Sequence, residues 1–255
     1  MQVPGAKLSY SNITFLDKNP IKRWLQRKRL ISAIKILGTS DCAKRICDFG
    51  AGNGELCKGL AEKFPAAKII CYEPTPSLLL EARENLREFG ERIEFCSDAK
   101  DLENQTFDII LCLEVFEHLP KIETISALKI ISEILHNEGK FVIGVPVEVG
   151  IPAVYKGLFR MIRRYGAFDA NIKNVFLALI GYPPVDRPVS EISPGLSFYF
   201  EHMGFNHKIL AHEFLKYFKL VGVSTSPFGK PISFLMPEIN YLLINTTKPE
   251  SVTSQ

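Results

Sequence analysis

Residues 45–56 read Arg-Ile-Cys-Asp-Phe-Gly-Ala-Gly-Asn-Gly-Glu-Leu, and this stretch constrains the fold more than any other. A short apolar run, Ile46 and Cys47, ends in Asp48, and glycines then stand at 50, 52 and 54. From Leu56 the apolar residues recur at Leu60, Ala61 and Phe64, on one helical face. Strand, glycine turn and helix open a nucleotide-binding α/β unit, because glycines let backbone approach a ligand with no Cβ in the way. The spacing separates two ligand classes. A dinucleotide pattern G-x-G-x-x-G beginning at Gly50 needs glycine at position 55, where Glu55 stands. The pattern present is D-x-G-x-G-x-G.

From Lys44 the chain alternates between strand and helix. The apolar runs predict strands at 45–49, 68–73, 92–96, 107–113 and 139–145, with helices over about 54–64, 77–89 and 121–136. Each strand is a nearly continuous apolar run, as expected when both faces of a parallel sheet are covered. Right-handed crossovers then give a doubly wound sheet whose ligands sit at the carboxyl ends of the strands. Ahead of this core, Pro20 opens a helix to about Leu37, with Lys22-Arg23 and Arg27-Lys28-Arg29 read as a solvated face. After Pro146 the rhythm breaks. Gly150, Pro152, Pro183-Pro184, Pro188 and Pro194-Gly195 punctuate an insertion with two aromatic-rich segments. Sheet-like sequence returns at Leu220–Thr225 and Ile239–Asn245, which fits an antiparallel hairpin closing the sheet. The organisation expected is an arm and helix over 1–43, an α/β core over 44–146, a helical lid over 147–205, the C-terminal part of the sheet over 206–247 and a flexible tail over 248–255.

A chain of 255 residues with 46% hydrophobic composition fits one enlarged α/β domain. Its 31 basic and 28 acidic residues are too balanced for a nucleic-acid binder. The six cysteines lack C-x-x-C spacing, and Cys47, Cys71 and Cys112 sit inside apolar runs as small buried hydrophobes, so a reducing cytosol is expected. The N-terminus lacks a signal-peptide apolar region, and no stretch reaches the roughly 20 apolar residues of a membrane span. The expected location is cytoplasmic, with peripheral membrane contact through 151–180 as a further reading.

The D-x-G-x-G-x-G turn after a strand resembles motif I of the class I S-adenosylmethionine (SAM) methyltransferases, and the resemblance extends over residues 44–146. It implies a mostly parallel seven-stranded sheet with helices on both faces, a C-terminal antiparallel hairpin and SAM as cofactor; the helical insertion after strand 5 lies outside the resemblance and is read from the residues alone. SAM carries an ammonium and a sulfonium and no phosphate, so the Asp48 acid beside Gly50, Gly52 and Gly54 suits it. Glu73 ends the second strand, where two acceptor oxygens match the ribose diol. The resemblance further implies that Asp98, after the third strand, accepts from the adenine amino group, that the Ala99 N–H meets a ring nitrogen, and that Leu113 and Glu114 flank the adenosyl site.

The residues after strand 4 bear on the acceptor. Methyltransferases that act on base amines or glutamine side chains typically carry Asn/Asp-Pro-Pro-Tyr/Phe there. This chain has Leu113-Glu-Val-Phe-Glu-His-Leu-Pro120, which resembles the small-molecule branch that includes ubiquinone-type, sugar and lipid-precursor enzymes. Glu114, Glu117 and His118 also match the E-x-x-E-H of metal-assisted O-methyltransferases, with His207 and His212 where a later histidine ligand would fall. The reading adopted makes His118 a general base, its ordinary pKa of about 6.5 suiting proton removal near neutrality, with Glu117 beside it and no metal. In the insertion, Ile151, Val154, Tyr155, Leu158, Phe159 and Ile162 form one apolar helical face, with Lys156, Arg160, Arg163 and Arg164 opposite. Either the apolar face packs on the sheet with the charges in water, or the basic lid receives an anionic or lipid-linked acceptor. The function expected is methyl transfer to oxygen of a small-molecule, glycan or lipid-linked acceptor. The alternatives are metal-assisted or N-directed transfer, or a non-catalytic SAM-fold binding protein.

Overall fold

The computed structural model describes residues 20–38, 42–193 and 196–245. The expected arm, the Pro194-Gly195 break and the tail lie outside the described residues. The elements are α1 (Pro20–Lys35), β1 (Arg45–Phe49), α2 (Glu55–Lys63), β2 (Lys68–Tyr72), α3 (Pro76–Asn85), β3 (Ile93–Cys96), β4 (Phe107–Leu113), α4 (Lys121–Ile134) and β5 (Leu135–Pro146). The insertion follows as α5 (Ile151–Arg164), α6 (Ile172–Leu179), β6 (Val189–Ser193) and β7 (Leu196–Tyr199), and then α7 (His207–Phe214), β8 (Phe218–Ser226) and β9 (Glu238–Asn245) close the chain.

Seven strands form one sheet in the order β3-β2-β1-β4-β5-β9-β8, while β6 and β7 pair separately. The first five are parallel, and β9 runs antiparallel to both β5 and β8. The reversal of strand order between β1 and β4 opens the crevice in which ligands of such sheets bind. The expected doubly wound sheet with a terminal hairpin is therefore present. Burial explains the continuous apolar runs, since neighbouring residues on one strand enter different cores. Ile46, Ile69, Ile109 and Val142 pack under α1, α2 and α3, whereas Cys47, Ile70, Ile110 and Ile143 pack under α4 and α7. All six cysteines are free, and all but Cys42 are buried.

Two local expectations shift. The helix over 77–89 ends at Asn85, whose side-chain amide donates to the Asn53 carbonyl at 2.9 Å, and a 3-10 turn with Gly90 at φ 54° follows. In the insertion the polarity is inverted. On α5 the buried residues are Pro152, Ala153 and Gly157, while Leu158, Phe159 and Ile162 face outward, Ile162 at 80% exposed. The reason is electrostatic: the buried acids Glu148 and Asp169 draw Lys156, Arg160 and Arg164 toward the protein. Burying an unpaired carboxylate costs more than exposing a few aliphatic side chains, so the charged stripe turns inward. Neither reading of the lid made from sequence anticipated this arrangement.

Candidate active site

A cavity of about 740 Å³ lies at the carboxyl ends of β1, β2 and β4 and is roofed by α1 and the β6–β7 hairpin. Of the residues singled out in the sequence, Asp48, Gly50, Gly52, Glu73, Ala99, Leu113, Glu114 and His118 line it. Gly54, Asp98 and Glu117 are not among its lining residues.

The glycine turn is shaped by backbone geometry and close approach. Gly50 has φ +83°, and a Cβ there would meet Val115 Cγ2 at 2.4 Å. Gly52 has φ +56° and open space where a Cβ would stand, so its surroundings can admit a ligand. Gly54 has φ +82°, a left-handed conformation that favours glycine, and a Cβ there would crowd Leu86 Cδ1 at 2.6 Å.

The strand-end acids divide into two buried groups, one half-buried and one exposed. Glu73 is 5% exposed, and its two oxygens accept from the Gly52 N–H at 2.9 Å and the Thr75 N–H at 2.8 Å. Each oxygen keeps a lone pair, so the carboxylate is fixed in place with acceptor capacity left over. Asp48 is buried and accepts from the Cys57 thiol at 3.2 Å; burial pushes its carboxyl up to about 7. Glu114 is held at φ 58°, a left-handed conformation costing a non-glycine residue about 1–3 kcal/mol, a cost seen most often at functional sites. Asp98 is exposed and caps the 3-10 turn after β3, accepting from the Lys100 N–H at 2.9 Å.

Arg29 was assigned to a solvated face, and the structure corrects this. Its guanidinium is inserted between Glu114 (2.9 Å) and Glu238 (2.6 Å), and it lines the cavity. The sequence signal was faint, because Arg29 is one basic residue among several on α1 and its partners lie 85 and 209 positions away. Around that one guanidinium stand three buried or partly buried carboxylates. Burial pushes Glu117 up to about 8 and Glu114 well above the usual carboxylate range, even with Arg29 nearby.

His118 is held from several sides. Its Nδ1 lies 2.6 Å from the Tyr199 carbonyl, which can only accept, so Nδ1 carries the proton and Nε2 keeps its lone pair. The Tyr199 N–H returns a bond to the His118 carbonyl at 2.8 Å. Phe198 stacks on the imidazole at 4.4 Å with an interplanar angle of 8°, and His202 meets it edge-on at 4.8 Å. Burial, with a smaller contribution from Arg187, holds the imidazole below its ordinary 6.5 despite the Tyr199 carbonyl, so it is neutral at pH 7. The Glu117 carboxyl, wholly buried, lies 3.8 Å from Nε2, and neither of its oxygens has a hydrogen-bond partner among the described residues. Arg187 donates to the Glu117 backbone carbonyl at 2.7 Å and lies over the Tyr199 ring, tying the hairpin to the turn after β4.

Phe198, Phe200 and His202 therefore join the site from a hairpin that no periodicity announced. His202 also replaces the histidines expected from sequence. His207 is occupied by the Tyr241 hydroxyl at 2.7 Å, and His212 is exposed on α7. Among the described residues, ligand atoms of Glu117, His118 and His202 lie within 4.8 Å of one another, a group that can hold a metal ion.

The cavity suits SAM on two local observations: the open space at Gly52, and the anchored Glu73 carboxylate with spare lone pairs for a diol. Comparison with known proteins agrees. Residues 47–141 match the family model described as "Methyltransferase domain". The malonyl-[acyl-carrier protein] O-methyltransferase of Geobacter sulfurreducens is 33% identical over 81 residues, 31% of this chain and 30% of that protein. The release factor glutamine methyltransferase of a Synechocystis species is 43% identical over 61 residues, 23% of this chain and 20% of that protein. This chain thus matches less than a third of the length of either relative. In three dimensions it resembles the N-methyltransferase NodS of Bradyrhizobium japonicum WM9, solved with S-adenosyl-L-homocysteine. The TM-score is 0.59 at 13% identity, over 94% of this chain and 95% of that one, a likeness of fold. Residues 47–141, which carry the glycine turn, Glu73 and the strand ends that border the cavity, thus match a methyltransferase domain, and this match supports a class I S-adenosylmethionine-dependent methyltransferase.

Proposed function

We propose that this protein transfers a methyl group from SAM to a hydroxyl oxygen of a small-molecule, glycan or lipid-linked acceptor. The observation that carries the reading is His118: a neutral imidazole with a fixed tautomer, its Nε2 unprotonated, on the wall of the cavity that also holds Glu73 and Gly52. Glu73 would take the ribose hydroxyls, and Asp48 with the turn at Gly50 and Gly52 would hold the charged amino-acid end. Ala99, Leu113 and Glu114 would border the adenosyl group. The cofactor supplies an electrophilic methyl on a sulfonium. His118 accepts the acceptor's hydroxyl proton at Nε2, and the resulting imidazolium keeps its Nδ1–H bond to Tyr199. Phe198 and Phe200 hold the acceptor side apolar and exclude water, so that alignment supplies much of the rate. We assign acceptor choice to the 147–205 insertion, because it furnishes these aromatics and His202.

Oxygen as the methyl acceptor is supported by the base and by the absence of a Pro-Pro-aromatic turn after β4. The curated relatives named above include an O-methyltransferase and a glutamine methyltransferase, so the matched segment does not discriminate. Incubation with methyl-labelled SAM and paired acceptors, alike except for a hydroxyl or an amine, tests the reading. The expected product is the methyl ether, lost in His118→Ala. Labelled amine alone would overturn it.

A second reading rests on the unpartnered oxygens of Glu117 beside His118 and His202. These three would hold a divalent ion, which lowers the pKa of a bound hydroxyl.

A further inference from the structure

The insertion exposes apolar surface where soluble proteins seldom do. On α5 the face turned to solvent carries Leu158, Phe159 and Ile162, followed by Tyr165 and, on α6, Phe176. Its other side is committed to Glu148 and Asp169 through Lys156, Arg160 and Arg164. An amphipathic helix on a water-soluble core shows the reverse orientation. The apolar surface also extends beyond the insertion. The Tyr155 hydroxyl donates to the Leu235 carbonyl at 3.0 Å, joining α5 to the β8–β9 connection. In that connection Phe228 packs on Trp24 of α1 with centroids 5.9 Å apart.

Charge on these segments is of one sign. Residues 20–38, 149–168, 170–185 and 227–237 contain no aspartate or glutamate, and the Asp169 between them is buried. Exposed cations stand among the apolar side chains: Arg27 and Lys28 on α1, Arg163 on α5, Lys173 on α6 and Lys230 in the connection. Aromatic and aliphatic side chains with a basic fringe, lacking acids, complement an anionic lipid–water interface, where rings lie at headgroup depth and cations meet phosphates. Among the described residues no helix is long and apolar enough to cross a membrane, so contact would be peripheral. A second copy fits less well, because a twofold interface would set this cationic surface against itself.

We propose that α5, α6 and the β8–β9 connection, with the outer face of α1, dock on anionic bilayers. The proposal is independent of which atom accepts the methyl group. It also places the cavity wall formed by Gln26, Arg29 and Leu30 of α1 on the helix that meets the lipid.

The test is co-sedimentation of the full chain with vesicles of phosphatidylglycerol and phosphatidylcholine, or of phosphatidylcholine alone, at low and high salt. Binding should be at least tenfold stronger to the anionic vesicles and should weaken with salt. The double variant Leu158→Glu/Phe159→Glu should abolish it. Removing two cations, in Arg163→Gln/Lys173→Gln, should weaken it on the order of tenfold. S-adenosylhomocysteine binding in each variant should match the wild type, showing that the fold is intact. Failure to bind either vesicle overturns the proposal, as does binding that both variants leave unchanged. A dimer by light scattering that Leu158→Glu/Phe159→Glu dissociates, without vesicle binding, would assign the face to a second copy.

Discussion

Glu148 is the residue on which the inverted lid depends, and Glu148→Gln is the most informative perturbation of the fold. One oxygen accepts from Lys156 and Arg160 at 3.0 Å each, and the other accepts from Arg160 at 2.9 Å, all in a fully buried setting. Burial alone would raise this carboxyl. The Lys156 and Arg160 cations outweigh burial and hold it at about 2, against an ordinary 4.5. Each unit is worth about 1.4 kcal/mol, so the ionised carboxylate contributes on the order of 3 kcal/mol. Mutational experience with broken buried ion pairs gives a similar figure of about 3–5 kcal/mol. The folded pKa is depressed, so this stability is fully present above the unfolded value of 4.5 and is lost as pH falls toward 2. Urea unfolding followed at α5, by hydrogen exchange of its amides, should show Glu148→Gln weaker by about 3 kcal/mol at pH 7. By about pH 3 more than half of that difference should be gone, because the wild type has lost its own contribution. A variant within about 0.5 kcal/mol of wild type at pH 7, with no pH dependence, would refute the ionic account of the lid.

Three further outcomes follow from the site. Glu73→Ala should weaken S-adenosylhomocysteine binding at least tenfold by calorimetry, since a charged acceptor of two hydroxyls is lost together with the partner of the Gly52 N–H. Gly50→Ala should cost about 1–3 kcal/mol of stability in denaturant melts, because φ +83° strains alanine and its Cβ would meet Val115 at 2.4 Å. With His118 as base, chelation should leave activity intact, and kcat/KM should fall on acidification with a midpoint below the ordinary imidazole value, because burial lowers the imidazole pKa. Collapse of activity on chelation, restored by a divalent ion, would instead assign Glu117, His118 and His202 to a metal.

What the sequence made legible follows from the range of the interactions involved. The sheet could be read because its strands are buried on both faces and announce themselves as apolar runs. The terminal hairpin followed from the apolar pattern and its proline and glycine boundaries. Asp48, Glu73 and Glu114 could be placed because a strand end and an adjacent turn are local features. The same logic singles out Asp98, which stands exposed outside the cavity lining and caps the turn after β3. Arg29 and His202 escaped because their partners are distant in sequence, and no local signal distinguishes a basic residue in water from one held between two glutamates. The orientation of α5 escaped for a related reason. Its periodicity defines two faces, but which face turns inward was decided by Glu148 and Asp169, residues outside the helix.

The most direct test of the account is thermal melting of the full chain with S-adenosylhomocysteine or with NAD. At a hundredfold excess over Kd a ligand bound only by the folded state adds about 2.7 kcal/mol, or roughly 5–10 °C for a chain of this size. S-adenosylhomocysteine should produce that rise and NAD should leave the melting temperature unchanged. A chain stabilised by NAD and indifferent to S-adenosylhomocysteine would contradict the assignment of the glycine turn, Glu73 and the cavity they border.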